Sequence, residues 1–326
     1  MRLGHRLRNV IPRFARRSAP IVLMYHRIAD VAWDPWQLAV PPERFARQID
    51  ILAREREVVP LSWLAEKLAT GSVPRRVAAI TFDDGYADVG AHALPVLERH
   101  GTPATVFLTT GALGRRVEFW WDRLARTVLA PAVMPPELRL VLADGEHVWA
   151  LEDAPGDEPG PAPPRRHEVY RAVWKSLCLC DEAAREARLD ELERQVAAAP
   201  PPGPLDRAFD FDEVRAMTAS GLVEIGAHTV THPSLPSLPE QRQRSEIQDS
   251  RRACEDLAGR LINGFAYPFG DYDGVARRLV RELGFAYACS TDPRAVTSGR
   301  ERHELPRLAV ENMDGEAFEA FLRAGA

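Results

Sequence analysis

Two adjacent carboxylates, Asp83 and Asp84, follow an apolar run that begins at Val77 and ends at Phe82. A run of this length predicts a strand buried on both faces, and α/β folds place their chemistry at the carboxyl ends of such strands. Neighbouring strand residues point to opposite faces, so both side chains reach one site only where the strand ends or twists, which Gly85 permits. The alternative from these residues alone is a helix cap at Asp83 and a solvated Asp84.

Two histidines, His228 and His232, follow the strand predicted over residues 222–228. If the loop turns helically, side chains four residues apart face one point, as two metal ligands must. Two histidines and one carboxylate, with positions open for water, are a common catalytic arrangement for zinc or iron. Asp84 or Asp83 could supply the carboxylate, and the other would then take a proton from the attacking water.

The bulk composition is that of an ordinary globular protein, with 326 residues, 45% of them apolar and 27% charged. This length suits one large α/β domain, and a net charge of −5 gives no reason to expect a nucleic-acid partner. The four cysteines include no CxxC pair. Reduced structural thiols in a cytoplasmic protein are therefore expected.

The N-terminal residues 1–19 are read as a separate basic segment. Within residues 1–17, apolar side chains recur at helical spacing with arginines between them. Such an amphipathic segment can lie on an anionic membrane surface, and a terminal helix that frays or docks on the core is the alternative. No apolar run is long enough for a signal peptide or a membrane span. The expected location is the cytoplasm, with peripheral contact at the inner membrane face.

Residues 20–326 alternate between predicted strands and helices, which indicates a parallel sheet or barrel of about seven strand–helix units. An insertion interrupts this rhythm at about residues 111–207. It contains a hairpin, a proline-rich stretch over 154–164 and one long helical stretch over 167–196. Trp120 and Trp121 could form a platform for a sugar, and the alternative is that they only anchor the insertion.

The strand ends carry motifs that resemble those of the polysaccharide deacetylases with the NodB homology domain, carbohydrate esterase family 4. The matching stretches are Thr81-Phe-Asp-Asp-Gly85, His228-Thr-x-x-His232 and Ala266-Tyr-Pro-Phe-Gly270. The early Met24-Tyr-His-Arg is similar to the biofilm-polysaccharide deacetylase branch. The resemblance implies an α/β fold, a distorted (β/α)7 barrel, here with a large insertion between the first and second motifs.

The resemblance also implies roles for the motif residues. Asp84, His228 and His232 would bind a divalent metal, with zinc expected and Co²⁺ or Ni²⁺ as alternatives, and Asp83 would be the catalytic base. Water would attack the acetyl carbonyl of an N-acetylated carbohydrate. The third motif, Tyr267, Pro268 and Phe269, would contact the substrate, and the backbone N–H of Phe269 would help to stabilise the oxyanion.

Two positions depart from the usual family pattern. Ala266 stands where the family carries an arginine that orients the base, and Arg307 is the nearest replacement, with a structural arginine as the alternative. The late Leu-x-His that supplies the general acid is absent. His26, at the end of the first predicted strand, is the candidate for that role. His303 is the second candidate, expected to be solvated in a polar loop.

The sequence is compatible with three functions. The first is a metal-dependent hydrolase that removes acetyl groups from N-acetylated sugars. The second is an O-acetyl glycan esterase with the same chemistry, and the third is a catalytically inactive glycan-binding barrel. The four intact site residues argue against the third function. In the cytoplasm, a lipid-linked or nucleotide-linked precursor of an exopolysaccharide is the expected substrate.

Overall fold

A ring of parallel strands forms the centre of the fold in the computed structural model, which describes residues 19–72, 74–131, 133–142, 144–151, 164–196, 199–297 and 301–324. The basic segment predicted over residues 1–17 lies outside the described residues. The strands are β1 (Ile21–Tyr25), β2 (Glu57–Val58), β3 (Val77–Phe82), β4 (Ala104–Leu108), β5 (Glu137–Leu142), β6 (Gly145–Ala150), β7 (Val223–Ala227), β8 (Gly264–Ala266), β9 (Tyr287–Cys289) and β10 (Leu308–Ala309). The helices are α1 (Pro42–Glu55), α2 (Leu61–Ala69), α3 (Leu94–His100), α4 (Trp120–Leu129), α5 (Pro164–Leu177), α6 (Glu182–Gln195), α7 (Phe211–Ala219), α8 (Glu240–Ala258), α9 (Gly274–Glu282) and α10 (Gly315–Ala324).

The parallel sheet curls until its two ends approach each other. Its strand order is β10-β1-β3-β4-β7-β8-β9, and β2 pairs with the start of β3. Leu305 forms a parallel bridge with Cys289 of β9, and three residues later Leu308 pairs with Leu23 of β1. The predicted α/β fold, a distorted (β/α)7 barrel, is confirmed. The carboxyl ends of all seven strands of the ring therefore open at one mouth.

The helices pack on the barrel through the apolar stripes that their sequences predict. Helix α1 has proline in its first turn and buries Phe45, Ile49 and Leu52. Helix α2 begins at Leu61, and Ser62, which is a residue type that often caps helices, does not cap it. The Ser62 hydroxyl instead donates to the Glu224 carboxylate of β7, so tertiary contact takes the side chain away from the local cap.

The insertion packs as a hairpin and three helices. Strands β5 and β6 form an antiparallel pair whose inward residues are Leu138, Leu140 and Leu142. The single helical stretch predicted over 167–196 is instead two helices, α5 and α6. The break falls before Asp181, whose carboxylate caps α6 by accepting from the Ala184 N–H at 2.8 Å. Among the described residues, no helix combines the length and the apolar character needed to cross a bilayer.

Candidate metal and catalytic site

The first motif turns both carboxylates toward the barrel mouth by leaving the strand conformation. The Asp83 N–H still donates to the Tyr25 carbonyl of β1 at 3.0 Å, so the ladder reaches this residue. Asp84 then adopts a left-handed backbone with φ 69°, followed by Gly85 with φ 86°. A Cβ at Gly85 would lie 2.8 Å from the side chain of Leu108, so glycine is required both for the turn and for the close approach.

The second motif reaches the same mouth from β7, but not through a helical turn. Thr229 and His232 have φ of 65° and 55°, so the chain loops rather than winds. Glu246 of α8 holds this loop, because its carboxylate accepts from the N–H groups of Val230 and Thr231 at 2.8 and 2.9 Å. The imidazoles thus converge through a braced loop, and the sequence spacing alone could not specify that brace.

Three potential ligand atoms form a tight triangle at the mouth. The Nε2 atoms of His228 and His232 lie 3.2 Å apart, and the Asp84 Oδ1 atom lies 3.5 and 3.3 Å from them. Tetrahedral zinc with ligands at about 2.0–2.1 Å places its ligand atoms about 3.3 Å apart. All three residues are buried. The dimensions therefore fit a divalent metal.

Hydrogen bonding around the triangle supports the same conclusion. The Nδ1 atom of His228 lies 2.7 Å from the Ala266 carbonyl, which can only accept, so Nδ1 carries the hydrogen and Nε2 is the ring nitrogen that faces the site. The buried Asp84 Oδ1 atom has no hydrogen-bond partner. Two imidazole nitrogens and a carboxylate oxygen that converge in a buried space can share one cation, so these residues suit a metal site.

Asp83 is held by a buried arginine from the other end of the chain. The two terminal nitrogens of Arg307 lie 2.6 Å from Asp83 Oδ1 and Oδ2, and its Nε donates to the Ser290 carbonyl at 3.0 Å. Arg307 is fully buried. Burial alone would raise the pKa of Asp83, but the guanidinium outweighs it and holds that pKa below the ordinary value. Asp83 is therefore ionised and fixed in orientation.

The third motif contributes its residues unequally. Phe269 has a left-handed backbone, φ 58° and ψ 5°, and its ring packs 4.5 Å from that of His232. Pro268 is buried beneath the turn. The Tyr267 side chain points into the core, where its hydroxyl donates to the His303 carbonyl at 3.0 Å. Of the three predicted substrate-contacting residues, only Phe269 lines the cleft.

A cleft of 290 Å³ lies over this cluster and includes His26 on its wall. His26 is half-buried at the end of β1. The other candidate for the acid, His303, was expected in solvent and that expectation is wrong. Its side chain is 2% exposed and its Nε2 atom lies 2.9 Å from the Phe285 carbonyl, in the core. The structure thus brings His26, and not His303, to the mouth.

Aromatic residues of the insertion also form part of the cleft wall. Trp120 and Trp121 are both buried, so they do anchor the insertion. Trp121 also lines the cleft, with its ring 4.8 Å from that of His232. Trp174 of α5 and Trp36 of the loop after β1 complete the wall and pack 4.6 Å apart. Sequence reasoning missed Trp174, because a tryptophan on one helical stripe is indistinguishable from a core residue.

Backbone strain is concentrated at this mouth. In the described part of the chain, six non-glycine residues have positive φ, and four of them are Asp84, Thr229, His232 and Phe269. A left-handed conformation is unfavourable for such residues, and strain of this kind collects at functional sites. The fold maintains these four conformations in the three motifs that meet here.

Comparisons with known proteins identify the family of the chain. Residues 70–150 and 196–288, more than half of the chain, match the model of the polysaccharide deacetylase family. YxkH of Bacillus subtilis, whose name assigns it provisionally to the polysaccharide deacetylases, is 26% identical over 114 residues. That alignment covers 35% of this chain and only 40% of the relative's length.

Two solved structures share the fold across most of both chains. The deacetylase PplD of Streptococcus pyogenes, solved in complex with acetate, is 17% identical with a TM-score of 0.58 and covers 94% of this chain and 98% of its own. IcaB of Ammonifex degensii is 18% identical with a TM-score of 0.58, over 95% and 98%. At this identity the likeness concerns the fold alone. Together with the family match and the three motifs, it leads to one conclusion: the chain belongs to the polysaccharide deacetylase family.

Proposed function

We propose that this protein is a metal-dependent hydrolase that removes acetyl groups from N-acetylated sugars. The observation that carries the proposal is the triangle of Asp84, His228 and His232, which has the dimensions of a divalent metal site beside an ionised carboxylate. Asp83 does not point into the triangle as a fourth ligand, because Arg307 engages both of its oxygens. The two neighbouring carboxylates therefore have separate tasks.

A divalent cation held by Asp84, His228 and His232 would supply a Lewis acid for the acetyl carbonyl and would lower the pKa of water. Asp83 accepts the proton of the attacking water, and Arg307 fixes the direction in which its carboxylate points. The Phe269 backbone N–H, held in its left-handed turn, donates to the oxyanion. One such donor is worth about 3–4 kcal/mol of barrier.

His26 completes the reaction by donating a proton to the leaving nitrogen. An amine leaves poorly as an anion, so breakage of the amide bond requires this proton. His26 borders the same cleft as Asp83 and Asp84, which supports this role. The overall change converts an N-acetyl group and water into acetate and a free amine.

The sugar is proposed to be part of a precursor of an extracellular polysaccharide. Support comes from the cleft, whose walls of Trp36, Trp121 and Trp174 suit a carbohydrate. Zinc is the metal we propose, because two imidazoles and one carboxylate with an open position form a common catalytic zinc site. A lipid-linked or nucleotide-linked form of the sugar remains our prediction.

Metal analysis combined with an acetate-release assay over free, nucleotide-linked and lipid-linked N-acetyl sugars tests the proposal. Asp84→Asn is expected to lose both bound metal and acetate release. Asp83→Asn is the matched control, and it should keep the metal while losing turnover. Loss of metal in Asp83→Asn would exchange the roles of the two aspartates. Acetate release only from O-acetyl substrates would replace the amidase with an esterase.

A further inference from the structure

A second cavity, of 410 Å³, lies behind the cleft wall, and Trp121 and His232 border both spaces. Its other walls come from α4, from α6 and from the loop after β4. This volume is within the range of small-molecule sites. Guanidinium groups are concentrated around it, and they belong to Arg115, Arg116, Arg123, Arg126 and Arg185.

The carboxylates around this cavity are already matched by arginines. Glu182 pairs with Arg115, and Glu186 pairs with Arg123 at 2.8 Å. Glu193 lies 2.6 Å from Arg123 and 2.7 Å from Arg126. The fourth, Glu118, also contacts Arg126. These acids therefore leave no free carboxylate for the remaining buried arginine.

Arg185 is that remaining cation. It is 4% exposed, its Nε has no hydrogen-bond partner, and among the described residues no carboxylate forms an ion pair with it. Its guanidinium lies 4.9 Å from the centre of the Trp120 ring. Arg185 also occupies the start of α6, where the helix dipole disfavours a positive charge. Burial lowers the pKa of its guanidinium and outweighs the opposite effect of Glu186 and Glu182, which are themselves paired with Arg123 and Arg115.

Other unpartnered polar atoms belong to residues that line the same cavity. Six buried side-chain atoms in the described residues have no hydrogen-bond partner, and four of them belong to residues of this cavity. The four are Thr109 Oγ1, Trp120 Nε1, Arg185 Nε and His232 Nδ1. All four can donate a hydrogen bond. Buried donors without acceptors are rare in native proteins, so their grouping indicates a missing acceptor.

We propose that this cavity binds an oxyanion of the substrate, a carboxylate or a phosphate ester carried by the glycan, with Arg185 as its counterion. The description of the oxyanion as part of the substrate rests on the proposed deacetylase function. A guanidinium with free N–H groups matches the planar geometry of either oxyanion. The site therefore selects an acidic N-acetylated glycan.

The position of the cavity suits a unit adjacent to the reacting sugar. Arg185 contacts Trp120, whose ring lies 5.5 Å from Trp121, and Trp121 lies 4.8 Å from His232. Three successive contacts thus join the proposed counterion to the proposed metal site. A glycan that reaches past Trp121 would place its acidic group against Arg185 while its acetyl group faces Asp83.

Fluorescence titration of the full chain tests the binding directly, because Trp120 beside Arg185 reports a bound anion. The probes are inorganic phosphate and D-glucuronate, added at constant ionic strength. Wild type and Arg188→Met, a control on the same helix outside the cavity, should show saturable binding of at least one probe. Arg185→Met should weaken it by about tenfold or more. Which probe binds distinguishes phosphate from carboxylate.

Two results would overturn the inference: no saturable binding of either probe to wild type, or equal binding by Arg185→Met. If Arg185→Met does not fold, Arg185→Lys is tested in its place. Lysine keeps the positive charge but lacks the forked N–H groups of the guanidinium, so unchanged affinity for the probes in Arg185→Lys would contradict the proposed role of those groups. Turnover is measured separately on an acidic and a neutral N-acetyl glycan. Arg185→Met should raise KM for the acidic one alone. Phosphate binding without any deacetylation would refute the proposed function and leave the anion site intact.

Discussion

Arg307 in the barrel and Arg185 in the insertion are both buried, yet the chain supplies a carboxylate to only the first. Arg307 holds both oxygens of Asp83, whereas Arg185 faces a ring and a cavity. A charge removed from water needs compensation. At the barrel mouth the chain itself compensates Arg307 and thereby preorganises Asp83, whereas in our proposal the compensation of Arg185 is left to a ligand.

Carboxylates show the same contrast. Asp83 has a guanidinium to itself, while three acids around the base of the insertion share Arg27, at 2.9 Å for Asp88, 2.5 Å for Asp206 and 3.8 Å for Asp122. Burial raises the pKa of Asp122 to about 7. Asp83 thus has a counterion of its own, whereas Asp122 shares one with two other acids.

Arg307→Met is expected to have the largest effect, because it leaves Asp83 buried without its counterion. Breaking such a pair costs about 3–5 kcal/mol in the free energy of unfolding, and turnover should fall because Asp83 loses its orientation. Urea unfolding measures the first effect and acetate release the second. The matched control is Arg294→Met, because Arg294 also pairs with a carboxylate, that of Asp292, but is itself 68% exposed, so its loss should matter little. Equal losses of stability in Arg307→Met and Arg294→Met would contradict the difference we expect between a buried and an exposed arginine.

His26→Ala tests the half-buried titratable residue of the mouth. Loss of a general acid should slow amide cleavage by about 10²–10⁴-fold. Cleavage of an acetate ester should slow less, because its carbonyl is more reactive and its leaving group needs the proton less. The comparison of kcat for the two substrates is the measurement. Full amidase activity in the variant would place the acid elsewhere.

Asp122→Asn tests the imbalance under the insertion through pH. The pKa of Asp122 lies at about 7 in the folded chain against an ordinary value of 3.8, so between these pH values the folded chain holds a proton that the unfolded chain has released. The free energy of unfolding of wild type should therefore fall as pH rises through this window. Asp122→Asn cannot lose stability in this way. Between pH 4 and pH 8 its free energy of unfolding should therefore rise relative to that of wild type by about 1–2 kcal/mol. This is less than the full pKa shift would give, because 24% of the Asp122 side chain is exposed.

The measurement is urea unfolding of both proteins at the two pH values. Asp212→Asn, at an exposed position of α7, is the control and should run parallel to wild type. If the free energy of unfolding of Asp122→Asn also changes with pH as that of wild type does, Arg27 stabilises the ionised Asp122 as fully as Arg307 stabilises the ionised Asp83.

Arg185→Met should have the smallest effect on stability. It removes the stabilising contact with Trp120, worth about 0.5–2 kcal/mol, but it also removes the cost of burying an uncompensated charge. Because these two effects oppose each other, the free energy of unfolding should stay within about 1 kcal/mol of wild type. Urea unfolding beside Arg307→Met makes the comparison direct. A loss as large as that of Arg307→Met would show that Arg185 is structural.

Much of the barrel follows from local sequence. Continuous apolar runs predict strands such as β3 and β4, because a strand covered on both faces has no polar side. The adjacent Asp83 and Asp84 before Gly85, and the pair His228 and His232, are local patterns placed at strand ends. They identify the family and the candidate ligands before any contact is known.

Tertiary structure decided what surrounds those residues. Arg307 is 224 residues from Asp83, and only closure of the barrel brings them together. Glu246 braces the histidine loop from a helix, Trp174 reaches the cleft from the insertion, and Arg185 lies unpaired behind it. Arg307 was a candidate only through the family pattern, and the roles of Glu246, Trp174 and Arg185 had no local signal, because a side chain's environment depends on how distant segments pack. The sequence by itself determined which groups could react, and the fold determined which of them are held, compensated or left for a ligand.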